Sequence, residues 1–220
     1  MKRHISRISA LLLLSLTGLV SCTNNPPQIL DLWWLPVLVQ DSRSGDTHRE
    51  LMLYVQVDDE EGDEDLAQIR LENLDKEILW KTDSSSWSRW KGKGVLWIGS
   101  SRFVSYGTAL EEGAYRVILE DKGGREDQTP LELEGWYDRE DWENQVIKYE
   151  EGEAFIASPV DGWFILPGGE KADPVPVPVE ETFYPSRLTE REEGEFFFFL
   201  FDRSRMTAYK KGPYPFESAE

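Results

Sequence analysis

Alternating apolar and polar residues dominate the chain after residue 28. The clearest stretch is 50–57, where Leu51, Leu53, Val55 and Val57 share one side. A repeat of two residues is the pattern of a half-buried strand. Similar stretches predict further strands at 66–73, 77–81, 95–98, 102–106, 114–121 and 129–134, and an edge strand broken at Pro36 within 29–39. About eight short strands separated by turns favour an antiparallel β-sandwich.

The last third of the chain has a different pattern. Short strands are predicted at 145–149, 154–157 and 162–166. Residues 173–179 carry proline at every second position, which predicts an extended sheet edge or a polyproline segment. Residues 196–201 are all apolar, so this strand should be buried on both faces. Residues 145–220 are therefore either a small β-rich module or extra strands on the first sheet.

The N-terminal segment predicts a signal peptide. A basic stretch with Lys2, Arg3 and Arg7 precedes the mainly apolar residues 8–20, and Cys22 follows after Ser21. Thirteen residues in a helix rise about 20 Å, which is short of the roughly 30 Å hydrocarbon core of a bilayer. Cleavage is therefore favoured over a membrane-spanning helix. The alternative is an ordinary secretory signal in which the cysteine occurs by chance.

The tetrapeptide Leu19-Val20-Ser21-Cys22 resembles the lipobox of bacterial lipoproteins. This resemblance implies cleavage before Cys22, acylation of that cysteine, and attachment to a membrane of the cell envelope. Buried lipid stabilises attachment by about 0.8 kcal/mol per methylene, so several acyl chains give a lasting anchor. Thr23 resembles the residue found in lipoproteins sorted to the outer membrane, which is therefore favoured over the inner one.

A second resemblance concerns residues 26–135. Its motifs are a Pro-Pro opening, an acidic glycine turn before Asp65-Leu66, the strand Gly113-Ala-Tyr-Arg-Val, and the turn Asp121-Lys-Gly-Gly. Together they resemble bacterial immunoglobulin-like domains, although the cysteine pair of antibody domains is absent. The predicted organisation is a signal peptide at 1–21, a lipidated tether at 22–28, an immunoglobulin-like sandwich at 29–135, a linker at 136–144 and a smaller β-rich part at 145–220.

Composition narrows the functional classes. The formal net charge is −18, and it becomes −21 without residues 1–21, which hold three basic residues and no acidic one. Such a charge opposes binding to nucleic acid or to an anionic lipid surface. Because Cys22 is the only cysteine, no intramolecular disulfide can form.

Few residues offer catalytic chemistry. His48 is the only histidine after residue 21, and it is predicted to lie in a polar hairpin loop without a nucleophile motif. Gly92-Lys93-Gly94 lacks the spacing of a phosphate-binding loop. Glycosidase-type paired carboxylates stay open, since nothing distinguishes any pair among 42 acidic residues. A non-enzymatic protein is therefore expected.

The acidic run 58–65 is the best candidate for a cation site. Calcium prefers several oxygen ligands, and Gly62 permits a tight bend. If an ion binds, the expected ligands are Asp58, Asp63 and Asp65. The alternative is a solvated hairpin end.

Two tryptophans are candidates for binding. Trp87 and Trp90 lie in the polar, serine-rich stretch 84–94, so exposed rings that stack on a sugar or anchor a protein partner are expected there. The alternative is that they fold back over one end of the sandwich. Trp33, Trp80 and Trp97 lie in strand patterns and are predicted to be in the core.

Three functional hypotheses result. The leading one is an envelope lipoprotein that binds or scaffolds a protein partner without catalysis. The second is a protein that binds or acts on a glycan through Trp87 and Trp90. The third is an adhesion module stiffened by calcium.

Overall fold

The computed structural model describes residues 25–92, 94–104, 110–134, 146–150, 153–157, 163–167, 175–176, 182–184, 193–203 and 205–217. Regular structure in these parts consists of β-strands. We find no helix among them with the length and apolar character needed to cross a bilayer. The predicted signal peptide with Cys22 and the predicted linker 136–144 lie outside the described residues.

Fifteen strands form within the described ranges. They are β1 (Gln28–Asp41), β2 (Thr47–Asp58), β3 (Leu66–Asn73), β4 (Ile78–Asp83), β5 (Ser88–Gly92), β6 (Val95–Val104), β7 (Gly113–Asp121), β8 (Glu126–Leu133), β9 (Val146–Glu150), β10 (Glu153–Ala157), β11 (Trp163–Pro167), β12 (Val175–Pro176), β13 (Thr182–Phe183), β14 (Glu193–Asp202) and β15 (Thr207–Glu217).

The largest sheet has eight strands in the order β12-β11-β14-β15-β1-β2-β6-β5. Strand β1 lies inside this sheet, antiparallel to β2 and parallel to β15. Of the two alternatives for residues 145–220, strands β11, β12, β14 and β15 are extra strands on the first sheet. The remaining strands β9, β10 and β13 form a separate three-stranded sheet.

The β-sandwich predicted from the sequence is confirmed in the first part of the chain. The four-stranded sheet β4-β3-β7-β8 packs against the β2 and β6 end of the large sheet. The side chains predicted to share one side of β2 are buried in this interface, and each is at most 5% exposed. The core also contains Leu66, Ile69, Leu71, Ile98, Tyr115, Val117, Leu119, Leu131 and Leu133.

A second core forms where the three-stranded sheet meets the large one. Ala154 and Ile156 of β10 pack with Leu38 of β1 and with side chains of β14 and β15. Phe196, Phe198 and Leu200 are completely buried there, while Phe199 and Phe201 on the opposite face are half-buried. The predicted two-sided burial of this strand is therefore complete on one face only.

Several strand predictions were wrong in detail. Pro36 does not break the strand, because β1 continues through it with Pro36 opposite Leu51 of β2. The predicted edge position holds up to this proline, since β15 pairs only with residues 37–41 of β1. The pairing of β1 with β15 begins at Val37, one residue after the proline that cannot donate a hydrogen bond. The stretch predicted as a loop at 84–94 contains β5, and the two strands predicted within 95–106 are the single strand β6 with a register shift. Strand β15 was not predicted.

The predicted extended edge at 173–179 is confirmed for the two residues described there. Val175 and Pro176 form β12, which is the outermost strand of the large sheet. Proline tolerates this position because an edge strand leaves half of its backbone groups unpaired.

Alkaline pH should destabilise the second core through Tyr214. This ring packs against Phe196 and Phe198, and burial raises the pKa of Tyr214 to about 12. The unfolded value is about 10, so the stabilising contribution is complete below pH 10 and is lost as the pH rises through about 12. We expect the urea-unfolding free energy to fall less steeply over this interval in Tyr214→Phe than in the wild type. An identical slope in the two proteins would contradict this assignment.

Candidate functional site

Four aromatic side chains from four adjacent strands line one open recess of about 290 Å³. They are Trp33 of β1, Tyr54 of β2, Trp97 of β6 and Trp90 of β5, and we call them the aromatic platform. All four lie on the face of the large sheet that points away from the four-stranded sheet. Their neighbours in sequence show this orientation, because Leu32, Leu53, Val55, Leu96 and Ile98 pack into or against the sandwich core.

Strand register arranges the platform in two cross-strand rows. Trp33 lies opposite Tyr54, which lies opposite Gly99, which in turn lies opposite Ser88. The parallel row contains Asp31, Gln56, Trp97 and Trp90 in the same strand order. Each row therefore combines two rings with polar side chains, and the strand hydrogen bonds fix their spacing.

Local contacts hold the rings in place. The Trp33 and Tyr54 ring centroids are 5.9 Å apart with planes inclined at 52°. Burial raises the pKa of Tyr54, while a hydrogen bond with Ser88 opposes that rise. The Trp90 ring lies over Gly92, where an added Cβ would be 2.9 Å from Trp90 Cζ2.

Gly99 lies beneath the recess and permits close approach of β6 to β2. A Cβ at this position would lie 2.1 Å from the backbone oxygen of Leu53 and 2.7 Å from the Cα of Tyr54. Because both contacts are to backbone, no rotamer change can relieve them. Glycine here keeps the strands that carry Tyr54 and Trp97 in register.

The two predicted binding tryptophans have different environments. Trp90 is 63% exposed, as expected for a ring that contacts a ligand. Trp87 is 8% exposed and belongs to the sandwich core, so the exposure expected for it is wrong. It precedes β5 at the end of the turn that begins at Asp83, and its backbone N–H donates to the Asp83 carbonyl oxygen at 3.0 Å. That turn directs the side chain inward.

The prediction that Trp33 lies in the core is also wrong, since 37% of it is exposed on the outer face. Trp97 is half-buried but lines the platform, while Trp80 packs against the sandwich core as expected. Sequence reasoning missed Trp33, Tyr54 and Trp97 as site residues. The available signal was the alternation of 50–57, which places Tyr54 opposite the core-facing leucines and valines.

The predicted calcium ligands do not converge. Among the described residues, no three acidic or histidine side chains form a group that could hold a metal ion, and Asp58, Asp63 and Asp65 all belong to that part of the chain. Lys91 Nζ lies 3.4 Å from Asp63 Oδ2, and Arg125 Nη2 lies 3.5 Å from Asp65 Oδ2. A backbone hydrogen bond, followed by the nearby cations, lowers the pKa of Asp63.

Arginine therefore stabilises the acidic turn from within the protein. Arg125 is 2.6 Å from the buried Asp121 and also contacts Glu61 at 3.6 Å, while Arg89 binds Glu64 at 3.1 Å. Partly buried networks of this kind contribute more than isolated surface pairs. The turn is thus a charged structural element in which Glu61, Asp63, Glu64 and Asp65 already have cationic partners.

A second polar cluster surrounds Glu50, which is 2% exposed. His48 Nε2 lies 3.1 Å from its carboxylate, Arg102 Nε donates at 3.2 Å, and Lys210 Nζ lies at 3.7 Å. His48 is on strand β2 and not in the predicted loop. Compensation by these partners explains how a carboxylate is tolerated in a buried position.

Arg102 also contributes to a smaller polar recess of about 280 Å³ between β4 and β6. Ser100, Thr82 and Ser86 supply hydroxyl groups to its walls, and Trp80 closes one side. The Thr82 and Ser86 hydroxyls are 3.0 Å apart and hydrogen-bonded to each other. The polar groups of this recess are therefore largely satisfied within the protein.

No protein family and no curated protein matches the chain. A solved structure of Tp47, the 47-kilodalton lipoprotein of Treponema pallidum, is similar to 88% of this chain at 15% sequence identity and a TM-score of 0.37. The similarity extends over 52% of Tp47, so the chain spans about half the length of that protein. Function is therefore inferred from the site's own residues.

Because Trp87 is buried and Trp90 is exposed, truncation of the two side chains should lower the free energy of unfolding by different amounts. Trp87→Ala would leave a cavity in the sandwich core and should lower the unfolding free energy by about 3–5 kcal/mol. Trp90→Ala removes an exposed ring and should change it by no more than about 0.5 kcal/mol. Urea unfolding of both variants measures the difference. Equal losses in the two variants would show that Trp87 is not a core residue.

Proposed function

We propose that this protein is a lipid-anchored component of a bacterial cell envelope, and that it acts by binding a ligand through the aromatic platform. The main support for the binding function is that the rings of Trp33 and Trp90 are exposed on one face of the large sheet. The lipobox-like sequence that ends at Cys22 supports the anchor.

The anchor and the folded body lie close together along the chain. Asn25 donates from its backbone N–H to Glu61 at 3.0 Å and from its side-chain amide to Glu60 at 2.6 Å. Three residue steps separate Cys22 from Asn25, and an extended chain spans at most about 11 Å over that length. A lipid on Cys22 would therefore hold the acidic turn near the bilayer surface.

This placement affects how the body would sit on a membrane. The acidic turn contains seven carboxylates within eight residues, and anionic headgroups repel them. Trp33 lies eight residues beyond Asn25, in the first half of β1, whose first residue Gln28 pairs with Asp58 of the acidic turn, so the platform is toward the same end of this strand as the anchor. We propose that it meets envelope components close to the membrane that carries the lipid.

Binding fits the described side chains better than catalysis. His48 is occupied by the buried Glu50, and the platform presents rings without an adjacent nucleophile–base pair among the described residues. Aromatic side chains on a rigid sheet offer a large contact area at low entropic cost. A ligand could therefore bind without any rearrangement of the fold.

The anchor is tested by Cys22→Ser. This substitution removes the acylated thiol, so we expect the protein to move from the membrane fraction to the soluble fraction and to lose incorporation of labelled palmitate. Thr23→Ser serves as the matched control and should remain in the membrane fraction. Retention in the membrane fraction of a Cys22→Ser protein that has lost residues 1–21, as judged by its mass, would exclude the lipid anchor.

The platform is tested with Cys22→Ser protein from the soluble fraction. We expect it to sediment with purified envelope material, and adding Trp33→Ala and Trp90→Ala should abolish that sedimentation. Trp34→Ala is a matched control, because Trp34 is the next residue on β1, has the same 37% exposure and lies on the opposite face. Sedimentation that survives loss of both platform rings would refute the proposed binding surface.

A further inference from the structure

We infer that the platform binds a neutral saccharide chain. This inference rests on the proposed function and names the chemical class of its ligand. Four features support it: the neighbouring rings on one sheet face, the polar side chains in the same rows, the small exposed area of the rings and the local charge.

The rings offer a surface for the apolar faces of sugar rings. Trp33 and Trp90 lie at opposite edges of the platform, three strands apart, with the half-buried Tyr54 and Trp97 between them. Neighbouring strands are about 4.8 Å apart, so the two exposed rings are separated by about 14 Å across the sheet. That distance suits a chain of several sugar units better than a single one.

Polar side chains are placed where sugar hydroxyls would lie. Asp31 and Gln56 share a row with Trp97 and Trp90, and Ser88 is in the row with Trp33 and Tyr54. One oxygen of Asp31 accepts from the Leu32 amide at 2.8 Å, which fixes the carboxylate beside the rings. The recess itself is lined by the four rings, and these polar side chains flank it in the same rows. An apolar surface accompanied by a few polar groups is typical of small-ligand sites.

The exposed rings by themselves cover less area than one side of a stable protein interface. Trp33 and Trp90 are 37% and 63% exposed, and together with the half-buried Tyr54 and Trp97 they present about 400 Å² at most. A specific protein complex buries about 800 Å² on each partner. A short saccharide needs only the smaller area.

Charge argues for a neutral ligand. Asp31 is the only charged residue in the two rows, and the protein as a whole carries a net charge of −18. Anionic glycans and anionic lipids would therefore be repelled both locally and at long range. Neutral sugars are not repelled in this way. Their hydroxyl groups can donate hydrogen bonds to Asp31, and they can donate to or accept from Gln56 and Ser88.

The experiment is calorimetric titration of soluble Cys22→Ser protein with neutral hexasaccharides of β-1,4-glucose, α-1,4-glucose and β-1,4-N-acetylglucosamine. We expect at least one of the three to bind. Adding Trp33→Ala and Trp90→Ala should weaken that binding by about 10- to 100-fold, because two ring contacts are lost. The control Trp34→Ala should bind as the parent does, and circular dichroism should show that all variants are folded.

Three results would overturn the inference. The first is absence of binding to every hexasaccharide. The second is binding that the two platform substitutions leave unchanged. The third is platform-dependent binding to phosphatidylcholine vesicles with none to the saccharides, which would identify a lipid surface as the ligand.

Envelope sedimentation and calorimetry together distinguish failure of the saccharide inference from failure of the proposed binding surface. Envelope sedimentation that depends on Trp33 and Trp90 but is abolished by protease treatment of the envelope material would identify a protein partner. In that case the proposed function would stand and the saccharide inference would fail. If sedimentation does not depend on these rings, the proposed binding surface fails first.

Discussion

Strand β1 is the constraint on which the rest of the structure depends. It pairs with β2 from Gln28 to Gln40 and with β15 from Val37 to Asp41, and residues 35–39 are buried on both faces. Leu38 contributes to the core beneath the three-stranded sheet, whereas Leu35, Val37 and Val39 form an apolar cluster on the opposite face. Because one continuous strand belongs to both halves of the large sheet, the sandwich and the C-terminal strands are joined by backbone hydrogen bonds.

This arrangement also explains why the aromatic platform is rigid. Its four rings lie on β1, β2, β6 and β5, which are consecutive in the sheet. The sandwich core packs against the reverse face of β1, β2 and β6, so movement of any of these three strands would disrupt that core. The outermost strand β5 is held by its pairing with β6. The close approach at Gly99 tightens the pairing of β2 with β6. A binding surface on such a scaffold needs little ordering when a ligand arrives.

Local sequence patterns predicted where strands form better than they predicted which face of a sheet each side chain occupies. The alternation at 50–57 correctly identified the core side of β2, since four residues shared one period. Trp87 and Trp90 have the same polar, serine-rich surroundings in sequence, yet one is in the core and the other is the most exposed ring of the platform. The turn at Asp83 decides between them, and its direction depends on how β4 and β5 are placed in different sheets. Pro36 was misjudged for a similar reason, because its effect depends on where pairing with β15 begins.

The sequence by itself determined that the protein is built from strands, that its charge is strongly negative, and that no disulfide stabilises it. It also predicted a lipid anchor at Cys22, since a signal peptide and its lipobox are linear motifs. Only the tertiary structure decided that β15 pairs in parallel with β1, that three cations pair with carboxylates of the acidic turn, and that Trp33, Tyr54, Trp90 and Trp97 meet at one surface. These features depend on register between strands far apart in the chain, and a shift of one residue in register would move each ring to the opposite face.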